Sequence, residues 1–255
     1  MRVAIYAVAA GLLFMSSPTL AQELHIAHCL KGCPTGTAAS NDLIVREIYA
    51  LSSNDQTKFA DWVAYRVTKE TIGTSDSLNR SWKPDPLLDE AETLEAADYK
   101  GANKAHKYDR GHQAPLASFA GTVFWRSTNT LSNITPQKAD LNQGAWKELE
   151  SRIRHAAHHI GGLYVITGPL YNVEAPMPKL PKSNEPHTVP TAYWKVVSTG
   201  KGKMTGFIFA QGTPRNDELC NHRKPLSTIE LQSGLNIFPQ ASGWPSGALD
   251  SQLGC

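Results

Sequence analysis

Beyond its first two dozen residues the chain has no long apolar run, so no later segment is suited to cross a bilayer as a helix. It has no internal repeat and no low-complexity tract, which excludes solenoid and disordered architectures. It also has little excess charge. Twenty-five Lys and Arg against 23 Asp and Glu leave a formal net charge of +2. A global positive field that attracts polyanions is therefore absent, and any polyanion site must be built from locally placed Arg and Lys. Cysteine is scarce too, with four in the chain.

All four cysteines, Cys29, Cys33, Cys220 and Cys255, follow a leader-like start. Arg2 precedes an apolar stretch from Val3 to Met15, then a polar, proline-containing segment ends in small residues. That is the layout of a secretory signal peptide over residues 1–21, cleaved near Ala21, and it places the protein outside the cell or in the periplasm. An even cysteine count suits an oxidising compartment. Cys29 with Cys33 and Cys220 with Cys255 are the natural disulfides. A zinc site competes poorly, because CLKGC is followed by no close second pair of ligands.

Residues 22–255 then read as a single domain large enough to bury a substantial core. Residues 29–42 are rich in Gly, Thr, Ser and Asn and predict a loop. LIVREIYAL (43–51) and KFADWVAYRVTK (58–69) have the β-branched and aromatic content of strands. Residues 75–94, with two prolines and many acids, predict irregular surface chain. Trp146, Leu149, Ile153, Ala156 and Ile160 recur at spacings of 3 and 4, and Gly161 and Gly162 end the helix they define. Strands follow in GLYVITGPLY, YWKVVST and MTGFIFAQ, then a late helix near 227–233. Strands in runs with helices between some of them predict an α+β fold around a mainly antiparallel sheet flanked by helices.

The densest chemistry lies in YDRGHQAPLASF (108–119). Charged groups are rarely buried without a partner, so Asp109, Arg110 and His112 side by side mark a solvated loop or a site. Imidazole can take a proton from water near neutral pH, and a guanidinium fork suits phosphate. Gly111 between them allows backbone conformations that other residues resist. A base, a phosphate clamp and a permissive backbone fit phosphodiester hydrolysis. Tyr108 and Phe119 are read as core aromatics rather than base-stacking platforms.

Charge developing on the leaving oxygen calls for a divalent cation. In NITPQKADLNQGAWKELE, Asn142 stands one turn before the apolar stripe, at a helix start where Asn also serves as an N-cap. Glu150 lies two turns further on, with Arg154 at i+4, a spacing equally suited to a plain helix ion pair. Hard Mg²⁺ keeps several waters and takes few protein oxygens, so one Asn carbonyl and a carboxylate on a bound water suffice.

These two stretches together resemble the DNA/RNA non-specific endonucleases of the ββα-metal fold. CLKGCPTG, TKFADWVAY, NRSWKPDP, ADYKGAN, VITGPLY and TAYWKV are similar to family segments in the same order. The resemblance implies a ββα-metal finger, His112 as general base, and Asn142 as the direct protein ligand of Mg²⁺, with Mn²⁺ as a substitute. It implies Glu150 on a metal-bound water and Arg80 and Arg110 on the phosphorane charge, with Arg154 near the metal shell. It further implies cleavage of DNA and RNA, single- or double-stranded, to 5′-phosphate products, and often a homodimer. Asp109 has no assigned role beyond a structural one.

Two other readings stand beside it. HAAHH (155–159) puts His155 and His159 on one helix face, as in helical zinc sites, and suggests a secreted zinc hydrolase. Against that, Ala156 occupies the position of the glutamate base. A non-catalytic nucleic-acid-binding homologue is the second, and the presence of His112, Asn142, Glu150 and Arg80 together argues against it.

Overall fold

The computed structural model describes residues 25–241, 243 and 246–255; the leader segment lies outside them. The elements are β1 (Asp42–Val45), β2 (Tyr49–Ser53), β3 (Ala60–Val67), α1 (Ala102–His106), β4 (Tyr108–His112), β5 (Ile134–Lys138), α2 (Ala139–Gln143), α3 (Ala145–Ile160), β6 (Leu163–Leu170), β7 (Ala192–Ser198), β8 (Met204–Ala210), β9 (Arg223–Lys224) and α4 (Leu226–Ser233). Seven strands form one antiparallel sheet in the order β1-β2-β3-β6-β7-β8-β9, and β4 pairs with β5 as a separate ribbon. Among the described residues no helix is long and apolar enough to cross a membrane.

The central strands are buried on both faces, and their alternation sorts residues into two layers. On β3, Val63, Tyr65 and Val67 join the core beneath α3, while Trp62 and Ala64 face the opposite core with Ile229 of α4. On β7 the same alternation sends Tyr193 and Val197 one way and Trp194 and Val196 the other. Each fully buried side chain of this size contributes roughly 1.5–3 kcal/mol of hydrophobic stabilisation. The helical stripe lies where the periodicity puts it for Trp146, Leu149, Ile153 and Ala156, which α3 buries on the sheet, but Ile160 at the last turn is exposed.

Two expectations change. LIVREIYAL is not one strand: it is broken after Val45, where the Arg46 amide bonds Tyr49 O and its guanidinium pairs with buried Asp85. A charged side chain with a partner on the 75–94 segment wins over strand propensity there. Nor does Asn142 start the long helix. It lies in the separate short helix α2, and α3 is capped by Gly144. A Cβ at Gly144 would stand 2.3 Å from Arg215 O and 2.5 Å from Asp140 O, so the crossing 215 segment forces a glycine and a break.

The disulfides are Cys29–Cys33 and Cys220–Cys255. The β4–β5 ribbon is tied to the sheet by polar bonds. Tyr193 OH donates to Pro136 O at 2.8 Å, Gln211 Nε2 donates to the same oxygen at 2.8 Å, and Gln211 Oε1 accepts from Lys138 N at 2.8 Å. The ribbon and α2 thus form a ββα unit held rigidly above the sheet.

Candidate active site

A cleft of about 890 Å³ opens beside this unit, lined by Arg80, Trp82, Tyr99, Asp109, Arg110, His112 and Asn142 among others. His112 ends β4, and its Nε2 lies 2.9 Å from Asn129 Oδ1. A carbonyl oxygen only accepts, so Nε2 carries the hydrogen and Nδ1 keeps its lone pair for a proton. Burial pushes the His112 pKa down to about 4; the Asn129 bond opposes this and the Arg80 charge adds to it. The imidazole is therefore neutral at neutral pH, the form a base needs. Trp82 packs against it with ring centroids 5.3 Å apart.

Asn129 is held in turn by its neighbours in the 125–134 turn. Buried Asn133 donates to Thr128 O at 2.8 Å and Ala114 O at 3.0 Å, and accepts from Ala114 N at 2.8 Å. These bonds pin the turn to the chain just after His112. Nothing in the sequence pattern marks Asn129 or Asn133, because burial of a short polar side chain leaves no periodic trace.

Asp109 gains a role. Its Oδ2 accepts from Asn142 Nδ2 at 3.0 Å and Gln143 Nε2 at 2.7 Å, and its Oδ1 accepts from Asn103 Nδ2 at 2.8 Å. A carboxylate fixes the flip of the Asn142 amide, because only the NH₂ end can donate to it. The Asn142 carbonyl oxygen is left as a hard donor. That donor chemistry fits an ion of the Mg²⁺ class, which takes few protein oxygens.

Gly111 is needed for a different reason from the one the sequence suggests. It is regular strand, without positive φ. A Cβ there would meet Gln137 Oε1 at 2.6 Å and Gln137 Cβ at 2.7 Å across the ribbon. Space for Gln137, not backbone freedom, excludes a side chain. Arg110 donates from Nη2 to Ala96 O at 2.9 Å, and its guanidinium lies 5.5 Å from the Trp82 ring centroid and 5.3 Å from that of Tyr99. The fork is thereby fixed in the cleft wall, with arginine faces against aromatic rings. Tyr108 and Phe119 are both buried.

Four of the sequence-predicted residues thus meet at one cleft: His112, Arg80, Arg110 and Asn142. Glu150 and Arg154 do not line it. Glu150 turns inward, with Oε1 3.9 Å from Lys195 Nζ. Lys195 is fully buried on β7, donates to Tyr65 OH at 3.1 Å and lies 4.2 Å from the Trp146 ring centroid. Burial pushes the Lys195 pKa down to about 8 and raises that of Glu150, against their mutual attraction. Arg154 acts on Glu150 through its charge. An acidic cluster of Asp42, Asp55 and Glu92 has its oxygens within 4.8 Å of one another, but none of the three lines the cleft.

Comparison with known proteins bears on the family of the chain. The model of the DNA/RNA non-specific endonuclease family matches residues 27–243. The chain is 48% identical over 235 residues to a nuclease of Serratia marcescens, covering 90% of this chain and 86% of that protein. It is 29% identical to the mitochondrial endonuclease G of Homo sapiens, over 76% of this chain and 68% of the relative. Among solved structures, a chain in the crystal structure of an EndoG/EndoGI complex matches with a TM-score of 0.66 and 25% identity, covering 78% of this chain and 86% of that one. The chain belongs to the DNA/RNA non-specific endonuclease family.

Proposed function

We infer that the protein is an endonuclease that hydrolyses the phosphodiester bonds of DNA and RNA without sequence selection. The observation that supports this most is the meeting, in one cleft, of a neutral imidazole, an amide oxygen fixed by a carboxylate, and two arginines. His112 Nδ1 takes a proton from water, and the water oxygen attacks phosphorus in line. The bond from phosphorus to the 3′-oxygen breaks, the phosphate stays on the 5′ side, and the leaving oxygen is protonated from solvent. Arg80 and Arg110 meet the growing negative charge on the phosphoryl oxygens. Asn142 would hold Mg²⁺, or Mn²⁺ as a substitute, with Glu150 on its water shell and Arg154 balancing the charge of Glu150. When bound, that ion supplies neutralisation of the phosphate and of the leaving oxygen.

These groups address phosphate and nothing that differs between bases, so selection by sequence has no basis. They make no obligatory use of a 2′-hydroxyl, so DNA and RNA, single- or double-stranded, both serve. Residues 22–255 act as one nuclease domain, exported after cleavage near Ala21, in line with the two disulfides; a homodimer is the family's common state. The zinc-hydrolase reading loses its support because His155 and His159 do not line the cleft.

The test is digestion of plasmid DNA and of RNA in Mg²⁺ by the wild type and by His112→Ala. Both substrates are cut by the wild type, and the variant loses about 10²–10⁴-fold in rate on both while remaining folded. Near-normal activity of the variant on either substrate refutes the assignment of the base.

A further inference from the structure

The catalytic reading leaves the HAAHH stretch unused. His155, His158 and His159 occupy the last turns of α3 and all three are exposed. None has a hydrogen-bond or ion-pair partner among the described residues. Favourable cation placement at a helix C-terminus needs only one such group. It explains neither the number of imidazoles nor their spacing.

The spacing is that of ligands. The ring centroids of His155 and His159 are 4.5 Å apart, and those of His158 and His159 are 5.2 Å apart. With a metal–nitrogen bond of about 2.1 Å, an imidazole centroid sits roughly 3.2 Å from the ion. Two such rings subtending angles between square and tetrahedral then have centroids roughly 4.5–5.2 Å apart. The His155 and His159 rings stand at a separation that a shared ion allows. His155 and His159 are one turn apart and share a helix face. His158 lies at the edge of that face.

The position favours a cation further. Gly161, in the left-handed conformation at φ 88°, ends α3 just beyond the cluster, so the last carbonyls and the negative pole of the helix lie beside it. Between the histidines, Ala156 and Ala157 point into the core, and no carboxylate base stands among them. None of the three histidines lines the cleft. The cluster is therefore separate from the cleft.

We propose that His155 and His159 form a two-ligand surface site for a borderline transition-metal ion of the Zn²⁺, Cu²⁺ and Ni²⁺ class. Nitrogen donors select these ions over Mg²⁺, and the open coordination positions take water. The site does not depend on the nuclease reading and holds whether or not that reading does.

The test is calorimetric titration of the untagged chain with ZnCl₂ in excess Mg²⁺, which keeps the oxygen donors of the cleft engaged. The wild type binds one equivalent of Zn²⁺. His155→Ala and His159→Ala each weaken binding by about tenfold or more, since each reduces a chelate to a single ligand, and His158→Ala leaves it nearly unchanged. Retention of the untagged chain on immobilised Ni²⁺ is lost in the His155→Ala/His159→Ala double variant. All three side chains are exposed, so the variants fold, and their DNA cleavage in Mg²⁺ matches the wild type. Zn²⁺ affinity unchanged in the double variant, or no Zn²⁺ binding by the wild type, overturns the proposal.

Discussion

Replacing Lys195 by Met tests whether α3 is anchored to the sheet by a buried charge pair. Lys195 Nζ has no exposure, and its acidic neighbour is Glu150 Oε1 at 3.9 Å. At an effective dielectric constant of 20, charges at that distance attract by about 4 kcal/mol. Removing one member of a buried pair leaves the other uncompensated and costs about 3–5 kcal/mol. Arg154 still opposes the Glu150 charge, which favours the lower end. For a domain of this size each kcal/mol shifts Tm by roughly 2–4 °C, so Lys195→Met melts roughly 6–15 °C below the wild type. The decisive comparison is Lys195→Met/Glu150→Gln, followed by circular dichroism on heating. Met beside neutral Gln leaves no buried charge at the pair, so the double variant recovers much of the loss. A Tm for Lys195→Met within about 1 °C of the wild type, or losses that add in the double variant, refute the anchoring.

Asp109→Ala frees the Asn142 amide to turn, and raises the Mg²⁺ concentration for half-maximal activity about 10–100-fold, read from Mg²⁺ titrations of DNA cleavage; an unchanged Mg²⁺ requirement contradicts the orienting role. Asn129→Ala leaves His112 free to rotate and lowers kcat by up to about 10²-fold with little change in KM, checked by steady-state kinetics. Because folding lowers the His112 pKa from 6.5 to about 4, the unfolded chain binds more protons between those values. The stability contributed by the neutral buried imidazole is therefore present above pH 6.5 and lost as pH falls toward 4. Urea unfolding of the wild type becomes less sensitive to pH across that window in His112→Asn.

Much of the architecture is local in origin and is legible in the order of residues alone. The alternation of Trp62 and Ala64 with Val63 and Tyr65 orders β3, and the 3–4 spacing from Trp146 to Ala156 orders α3. Residue chemistry and spacing also put His112 and Asn142 forward as the two halves of one centre. The glycine between Arg110 and His112 is visible as a requirement, but its reason is not. It lies in Gln137, whose side chain crosses the ribbon from a residue 26 positions away.

What the sequence determined by itself is the set of chemically competent groups and the elements that carry them, because both follow from residue type and short-range periodicity. Tertiary structure alone decided which of those groups face one another. Gly144 breaks the helix only because Arg215 O crosses it, and Asp109 orients Asn142 only because the ribbon folds onto α2. Asn129 meets His112 across 17 residues, and Lys195 of β7 comes within 3.9 Å of Glu150 on α3. Partners of this kind are chosen by packing over long chain separations, and such separations leave no periodic mark on the residues that meet.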